Sequence, residues 1–217
     1  PEKILNIFYD KETYIKDTPV LTHVISSKDI ENSAYTSVKD ILETSAFLDY
    51  EAGIVLQAYL KESLKMQKDL TEWAVTRTKE GNASIKLRIV KGANLNMERI
   101  ESSKNNWPLK TFSSKEDVDA NFKQMIRYAC QNHRTHSVWI GVGSHNIFDI
   151  AYAMLERAAY GIEDTMNFEM LLGMNPAIRK AVQMVIDNVI VYCPFSNKEN
   201  VHHAVPYLLR RLDEQTQ

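Results

Sequence analysis

Near the C-terminus, Tyr207-Leu-Leu-Arg-Arg211 sets a phenol and two guanidinium groups within about one helical turn. Positions i, i+3 and i+4 share a helix face, so Tyr207, Arg210 and Arg211 project together. Two forked guanidinium groups suit a carboxylate, and the ring offers apolar surface beside it. The set forms a receptor for a small ligand with a carboxylate and an apolar body. The same residues also read as an Arg-rich helix end with favourable charge–dipole contacts.

A second segment is Arg88-Ile-Val-Lys-Gly-Ala-Asn94. A charged residue inside an otherwise apolar strand must find a partner, because unpaired burial is costly. Gly92 and Ala93 would let a flat ligand approach the backbone. The competing reading is a strand with one outward Arg and an ordinary turn. Ser144-His-Asn146 ends a strand and opens a helix. A ligand phosphate could sit at that helix N-terminus, or Ser and Asn could simply cap it. Asn132-His-Arg-Thr-His136 and His202-His203 lack carboxylate or Cys support, so no metal site is expected. Cys193 beside Pro194 has no arranged base and is not read as a nucleophile. Asp149 and Glu156 are expected on a solvated helix face.

The elements that must position these groups alternate. Strands are expected at Gly53 to Tyr59, Ile85 to Val90, Ser137 to Val142, Phe168 to Leu171 and Val189 to Tyr192. Helices are expected at Lys61 to Lys79, Val118 to Cys130, Ile147 to Ala159, Pro176 to Val185 and from about Val205. The first is expected to turn Leu64, Leu70, Trp73 and Ala74 inward. This rhythm is that of parallel βαβ units. No Gly-x-Gly-x-x-Gly turn follows a strand, which weakens a Rossmann reading. Gln57, Lys91, Ser144 to Asn146 and Glu169 instead sit at strand C-termini, where a (β/α)8 barrel builds its chemistry. Leu21 to Ile25 is a doubtful sixth strand. A closed barrel needs eight, so the N-terminal side is expected to be incomplete.

Composition agrees with a globular α/β protein. Of 217 residues, 44% are hydrophobic and 25% charged, which suits an ordinary packed domain. The formal net charge of -2 and the lack of a basic run exclude an electrostatic nucleic-acid binder. Two cysteines, Cys130 and Cys193, make no disulfide framework and fit a reducing compartment. No apolar run reaches the ~18 residues of a membrane span, and no signal peptide is visible. The chain opens on Pro1 rather than Met, which suggests a fragment or a trimmed chain.

Taken in order, several segments resemble the proline dehydrogenase family, most of all the dehydrogenase domain of bifunctional proline utilisation A flavoenzymes. They are Gly53-Ile-Val-Leu-Gln-Ala-Tyr-Leu60, Arg88-Ile-Val-Lys-Gly-Ala-Asn-Leu-Asn-Met-Glu-Arg99 and Trp107-Pro-Leu109. Ser114-Lys115 with Asp119-Ala-Asn121, Gly143-Ser-His-Asn146, Phe168-Glu-Met-Leu-Leu-Gly-Met174 and Tyr207-Leu-Leu-Arg-Arg211 complete the set. The likeness runs from about residue 48 to 214. It implies a TIM-type (β/α)8 barrel over 48–217, with 1–47 a poorly matched remnant of the first strands. It also implies FAD at the strand C-termini and oxidation of L-proline to Δ1-pyrroline-5-carboxylate, with hydride passing from proline C5 to flavin N5.

The resemblance assigns roles residue by residue. Gln57, Arg88, Val90, Gly92, Ala93, Ser113, Lys115, His145, Asn146, Glu169 and Glu214 fall at cofactor positions. Arg88 would lie near flavin N5, and Glu169 stands where relatives often carry Gln. Arg210 and Arg211 match the pair that grips the proline carboxylate, and Tyr207 the ring that packs on the pyrrolidine. Leu171 and Tyr192 match further pocket residues. The implied partners are a quinone acceptor at a membrane surface and a fused or separate pyrroline-5-carboxylate (glutamate semialdehyde) dehydrogenase. The implied location is cytoplasmic, peripheral to the inner face of the membrane. Asn94-Leu95 replaces the aromatic pair of many relatives, and the family's first-strand Lys and second-strand Asp find no counterpart. A barrel fragment or paralogue that binds without turnover is the alternative reading.

Overall fold

Strand β4 (Ile85–Val90) shows how the sequence builds the sheet. Its side chains alternate, as pleated strands require. Ile85, Leu87 and Ile89 are at most 1% exposed and face the helices. Lys86, Arg88 and Val90 face the other way and are half-buried.

Four further strands join it: β3 (Ala52–Gln57), β5 (Val138–Gly143), β6 (Met166–Leu171) and β7 (Val189–Tyr192). Their order in the sheet is β3-β4-β5-β6-β7, all parallel. The order never reverses, so the sheet lacks the switch point of a doubly wound fold. It advances in one direction, as barrel strands do. Two short strands, β1 (Ile4–Leu5) and β2 (Thr22–His23), pair in parallel with each other. The second lies inside the doubtful Leu21 to Ile25 segment. The computed structural model describes residues 4–5, 22–23, 38–45, 47–92, 95–131, 136–187, 189–192 and 205.

The helices follow their strands. They are α1 (Val38–Leu42), α2 (Ser63–Lys79), α3 (Leu95–Asn105), α4 (Lys115–Cys130), α5 (Ile147–Tyr160) and α6 (Pro176–Gln183). The outer sheet face meets α4 and α5 through Phe122, Met125, Ile126, Ile150 and Ala153. Burial of each large apolar side chain there contributes about 1.5–3 kcal/mol. Among the described residues, no helix is long and apolar enough to cross a membrane.

Helix α2 departs from the expected apolar face. Ala74 is fully buried, but Leu64, Leu70 and Trp73 are only partly so. The positions facing inward are Ser63, Gln67, Thr71, Ala74 and Arg77. Each polar side chain makes at least one hydrogen bond, which is what makes its burial tolerable, although Gln67 Oε1 is left unpaired. Gln67 Nε2 donates to the Met125 carbonyl at 3.0 Å. Arg77 donates to the carbonyls of Leu42 (2.6 Å), Leu48 (2.6 Å), Phe47 (2.7 Å) and Ala83 (2.9 Å). One guanidinium thereby gathers the whole entry to β3.

Candidate active site at the strand C-termini

The register sets one row of side chains on the inner sheet face. Val55 pairs with Arg88, Arg88 with Gly141, and Gly141 with Asn167. Gln57, Val90, Gly143 and Glu169 form the next row, and Leu171 pairs with Tyr192. Six residues singled out in the sequence, Gln57, Arg88, Val90, Glu169, Leu171 and Tyr192, therefore share one face because strands alternate with period two.

Glu169 is the centre of this face. It is 1% exposed, and its carboxylate is shared between two cations of β4. Lys86 Nζ lies 2.6 Å from Oε1, and Arg88 Nε pairs with Oε2. Arg88 lies over the Tyr192 ring, 4.5 Å from its centroid. The Arg inside the apolar strand thus has its partners: a buried carboxylate and an aromatic face. Burial pushes the Tyr192 phenol pKa up, the nearby Glu169 charge adds to this, and Arg88 partly offsets it.

The loops above the strands are knit to one another. Ala58 N–H donates to the Val90 carbonyl at 2.8 Å, and Tyr59 N–H to the Lys91 carbonyl at 2.9 Å. Phe112 N–H donates to the Tyr59 carbonyl at 2.9 Å, which draws Ser113 and Lys115 to the same rim. Both of these side chains are exposed. Gly92 has φ +103°, a conformation that favours glycine. The direction its Cβ would take is filled by Tyr59, whose Cδ1 would be 1.9 Å away. The glycine that was expected to admit a flat ligand thus admits a tyrosine ring on that side.

His145 and Asn146 sit between β5 and α5. His145 Nε2 accepts the Leu171 backbone N–H at 2.8 Å, fastening this loop to the end of β6. Asn146 caps α5: its Oδ1 accepts from Phe148 N (2.9 Å) and Asp149 N (3.3 Å). Two N–H groups that a phosphate could have used are already satisfied.

Asp149 corrects the sequence reading. It is 3% exposed rather than solvated. Lys91 Nζ lies 2.6 Å from Asp149 Oδ2 and 2.5 Å from Asp119 Oδ1. Burial works against the Lys91 charge, but hydrogen bonds to both carboxylates outweigh it and leave the pKa raised. Glu156 is also partly sheltered, with Arg127 Nε 3.0 Å away. The neighbouring signal was present in the sequence: Lys91 ends a strand, and Asp119 and Asp149 each fall in the first two turns of a helix. Ala93, Tyr207, Arg210, Arg211, Glu214 and Cys193 lie outside the described residues.

A sequence model described as proline dehydrogenase matches residues 24–217. The chain belongs to the proline dehydrogenase family. Proline dehydrogenase 2 of Bacillus subtilis (strain 168) is 25% identical over 212 residues, covering 97% of this chain and 60% of that protein. Among solved structures, proline utilization A (PutA) from Corynebacterium freiburgense is 41% identical with a TM-score of 0.76, over 81% of this chain and 18% of that one. The PutA of Bdellovibrio bacteriovorus, solved as inactivated by N-propargylglycine, is 30% identical with a TM-score of 0.74. It is matched over 82% of this chain and 18% of its own. The chain thus spans 60% of the curated relative and less than a fifth of these structures. Within the proline dehydrogenase family, the five consecutive parallel strands are a run of the TIM-type barrel.

Family membership brings a flavin into question, and the inner face offers such a group an anchored cation. Arg88 is a cation held in place by Glu169 and Tyr192. One of its terminal nitrogens, Nη2, lies 3.6 Å from where a Gly143 Cβ would be, at the strand end. Of the inner-face glycines, Gly53 has nothing within 4 Å of where a Cβ would stand, whereas Glu169 and Val90 fill those directions at Gly141 and Gly143.

Proposed function

We propose that this chain carries the FAD-binding part of a proline dehydrogenase that oxidises L-proline to Δ1-pyrroline-5-carboxylate. The observation that carries the reading is Arg88, an anchored cation on the inner face of a barrel sheet of this family. FAD, when bound, would supply the two-electron acceptor for a hydride from proline C5 to flavin N5, with a proton lost from the proline nitrogen and a C=N bond left behind. The residues of the chain then work by positioning and electrostatics.

Arg88 stabilises negative charge on the reduced ring system. Gln57 bonds its edge, and the backbone at Val90, Gly92 and Ala93 lines it. Ser113, Lys115, His145, Asn146 and Glu214 serve the ribityl, phosphate and adenosine portions. Asn146 does so through its Nδ2, since its Oδ1 caps α5. Glu169 acts through Arg88. On the substrate side, Arg210 and Arg211 grip the carboxylate, Tyr207 packs on the pyrrolidine, and Leu171 and Tyr192 close the pocket. The barrel portion is residues 48–217. Electrons pass on to a quinone at the inner face of the membrane, and a pyrroline-5-carboxylate dehydrogenase, fused or separate, consumes the product in the cytoplasm.

FAD titration followed by dye reduction with L-proline tests this reading. The expected result is FAD uptake, proline-dependent reduction of the dye, and weaker apparent proline affinity in Arg210→Met with FAD binding spared. FAD uptake without dye reduction would favour a barrel that binds without turnover.

A further inference from the structure

The carboxylate of Glu169 reaches from β6 to β4 across the whole width of β5. That reach depends on a single missing side chain. A Cβ on Gly141 would stand 2.2 Å from Glu169 Oε1, 2.8 Å from its Cδ and 3.0 Å from Lys86 Cε. One glycine therefore touches both arms of the Lys86–Glu169 contact, and any larger residue would push them apart.

The charges on this bridge do not cancel. Lys86 and Arg88 contribute two cations and Glu169 one anion, leaving one net positive charge on the bridge itself. Were Glu169 paired with Arg88 alone, the guanidinium charge would be neutralised where a ligand needs it. The two carboxylate oxygens instead divide between the cations, Oε1 to Lys86 and Oε2 to Arg88 Nε. Pairing through Nε leaves the terminal nitrogens of Arg88 for other partners, and Nη2 points toward the strand end. Lys86 itself sits deeper in the strand, two residues before Arg88, and its side chain is 27% exposed.

We infer that Lys86 is a positioning residue of this site, holding Glu169 across the side-chain-free Gly141 so that the charge of Arg88 stays available to an anionic ligand. The inference rests on the flavin reading for its consequence in the holoenzyme, but the charge balance itself exists without a flavin. A merely structural ion pair would also hold the strands together. It would not, however, make the site depend on the sum of charges.

The test therefore changes the sum and then restores it. In the FAD-free chain, labelled tyrosine NMR follows ionisation of Tyr192, whose phenol faces Arg88 from β4 and Glu169 from β6. Lys86→Met should raise the Tyr192 pKa further, and Lys86→Met with Glu169→Gln should lower it again. Lys86→Arg, which keeps the charge, should leave it at the wild-type value. In the FAD-loaded chain, the flavin midpoint potential should shift negative in Lys86→Met and return in the double variant. If Lys86→Met does not fold, Glu169→Gln alone should lower the Tyr192 pKa and shift the potential positive, and adding Lys86→Met should reverse both. Wild-type readings in Lys86→Met, or no reversal in the double variant, would overturn the inference. A chain that takes up no FAD would defeat the flavin reading, while the Tyr192 titration still decides the role of Lys86.

Discussion

The ammonium of Lys91, at the end of β4, lies 2.6 Å from the buried carboxylate of Asp149 on α5. With Asp119 of α4 at 2.5 Å, one lysine joins three elements beneath the rim of the site. Asp149 also lies 3.5 Å from the Ser144 hydroxyl, and its N–H is capped by Asn146. Through that loop the tie extends to His145 and the end of β6.

Removing the ammonium should leave Asp149 buried without its cation. Lys91→Met is expected to cost about 3 kcal/mol, the scale of breaking a buried pair by deleting one partner. Urea unfolding of wild type and variant measures it, and a loss below 1 kcal/mol would show that solvent replaces the lysine.

The same group gives a pH dependence. Its folded pKa is raised above the ordinary 10.5, so the ion pair's stability is complete below that value. It is lost as pH rises through the folded pKa. Tyr152 acts in the same sense, with its phenol pushed from 10.0 to about 12, mainly by burial. Stability should therefore fall steeply above pH 10, and less steeply in Lys91→Met. Thermal melts from pH 8 to 11.5 should show that difference, and parallel curves would refute it.

Arg77 holds four backbone carbonyls at hydrogen-bonding distances of 2.9 Å or less. Arg77→Met keeps much of the aliphatic stem and strands these acceptors. A loss of about 3–5 kcal/mol is expected from the orphaned groups together. Hydrogen exchange should locate the loosening in residues 42–50, ahead of β3, rather than at the strand C-termini.

Gly92→Ala tests the turn after β4. The new methyl would meet the Tyr59 ring, and φ +103° would be strained for alanine. A destabilisation of about 3 kcal/mol or more is expected from the clash and the strain. Tyr59→Ala in the same chain should relieve the clash but not the strain, so only part of the loss should return. Full recovery would mean that the backbone conformation costs nothing.

Cys130 is 1% exposed, and burial, with Glu156 nearby, pushes its thiol from 9.0 to about 12. In a Cys193→Ser chain, a thiol reagent at pH 8 should find no reactive group until denaturant is added. Fast labelling in the native protein would place Cys130 differently.

The five strands were legible because each sets a short, largely apolar run between polar breaks, and a parallel sheet buries such runs on its helix side. Helix α3 was not, because it buries none of its residues and so lacks the apolar stripe that marks a helix. The inward face of α2 misled for the opposite reason. Gln67 and Arg77 look like surface residues, and only the carbonyls they meet, distant in sequence, make their burial favourable. Arg88 declared its need for a partner, since an apolar strand cannot hold a lone charge. Which carboxylate would answer was not legible, because β5 separates Glu169 from β4 and the crossing depends on Gly141. Asp149 failed in the same way: a single acid in the first turn of a helix is ordinary until a strand delivers Lys91 to it.

The most direct measurement of the central claim is the absorbance of the FAD-loaded chain, free of oxygen, as L-proline is added. The account predicts loss of the oxidised flavin band with saturable dependence on proline, and much weaker dependence in Arg210→Met. A chain that holds FAD firmly, yet keeps its oxidised spectrum at high L-proline, would contradict it.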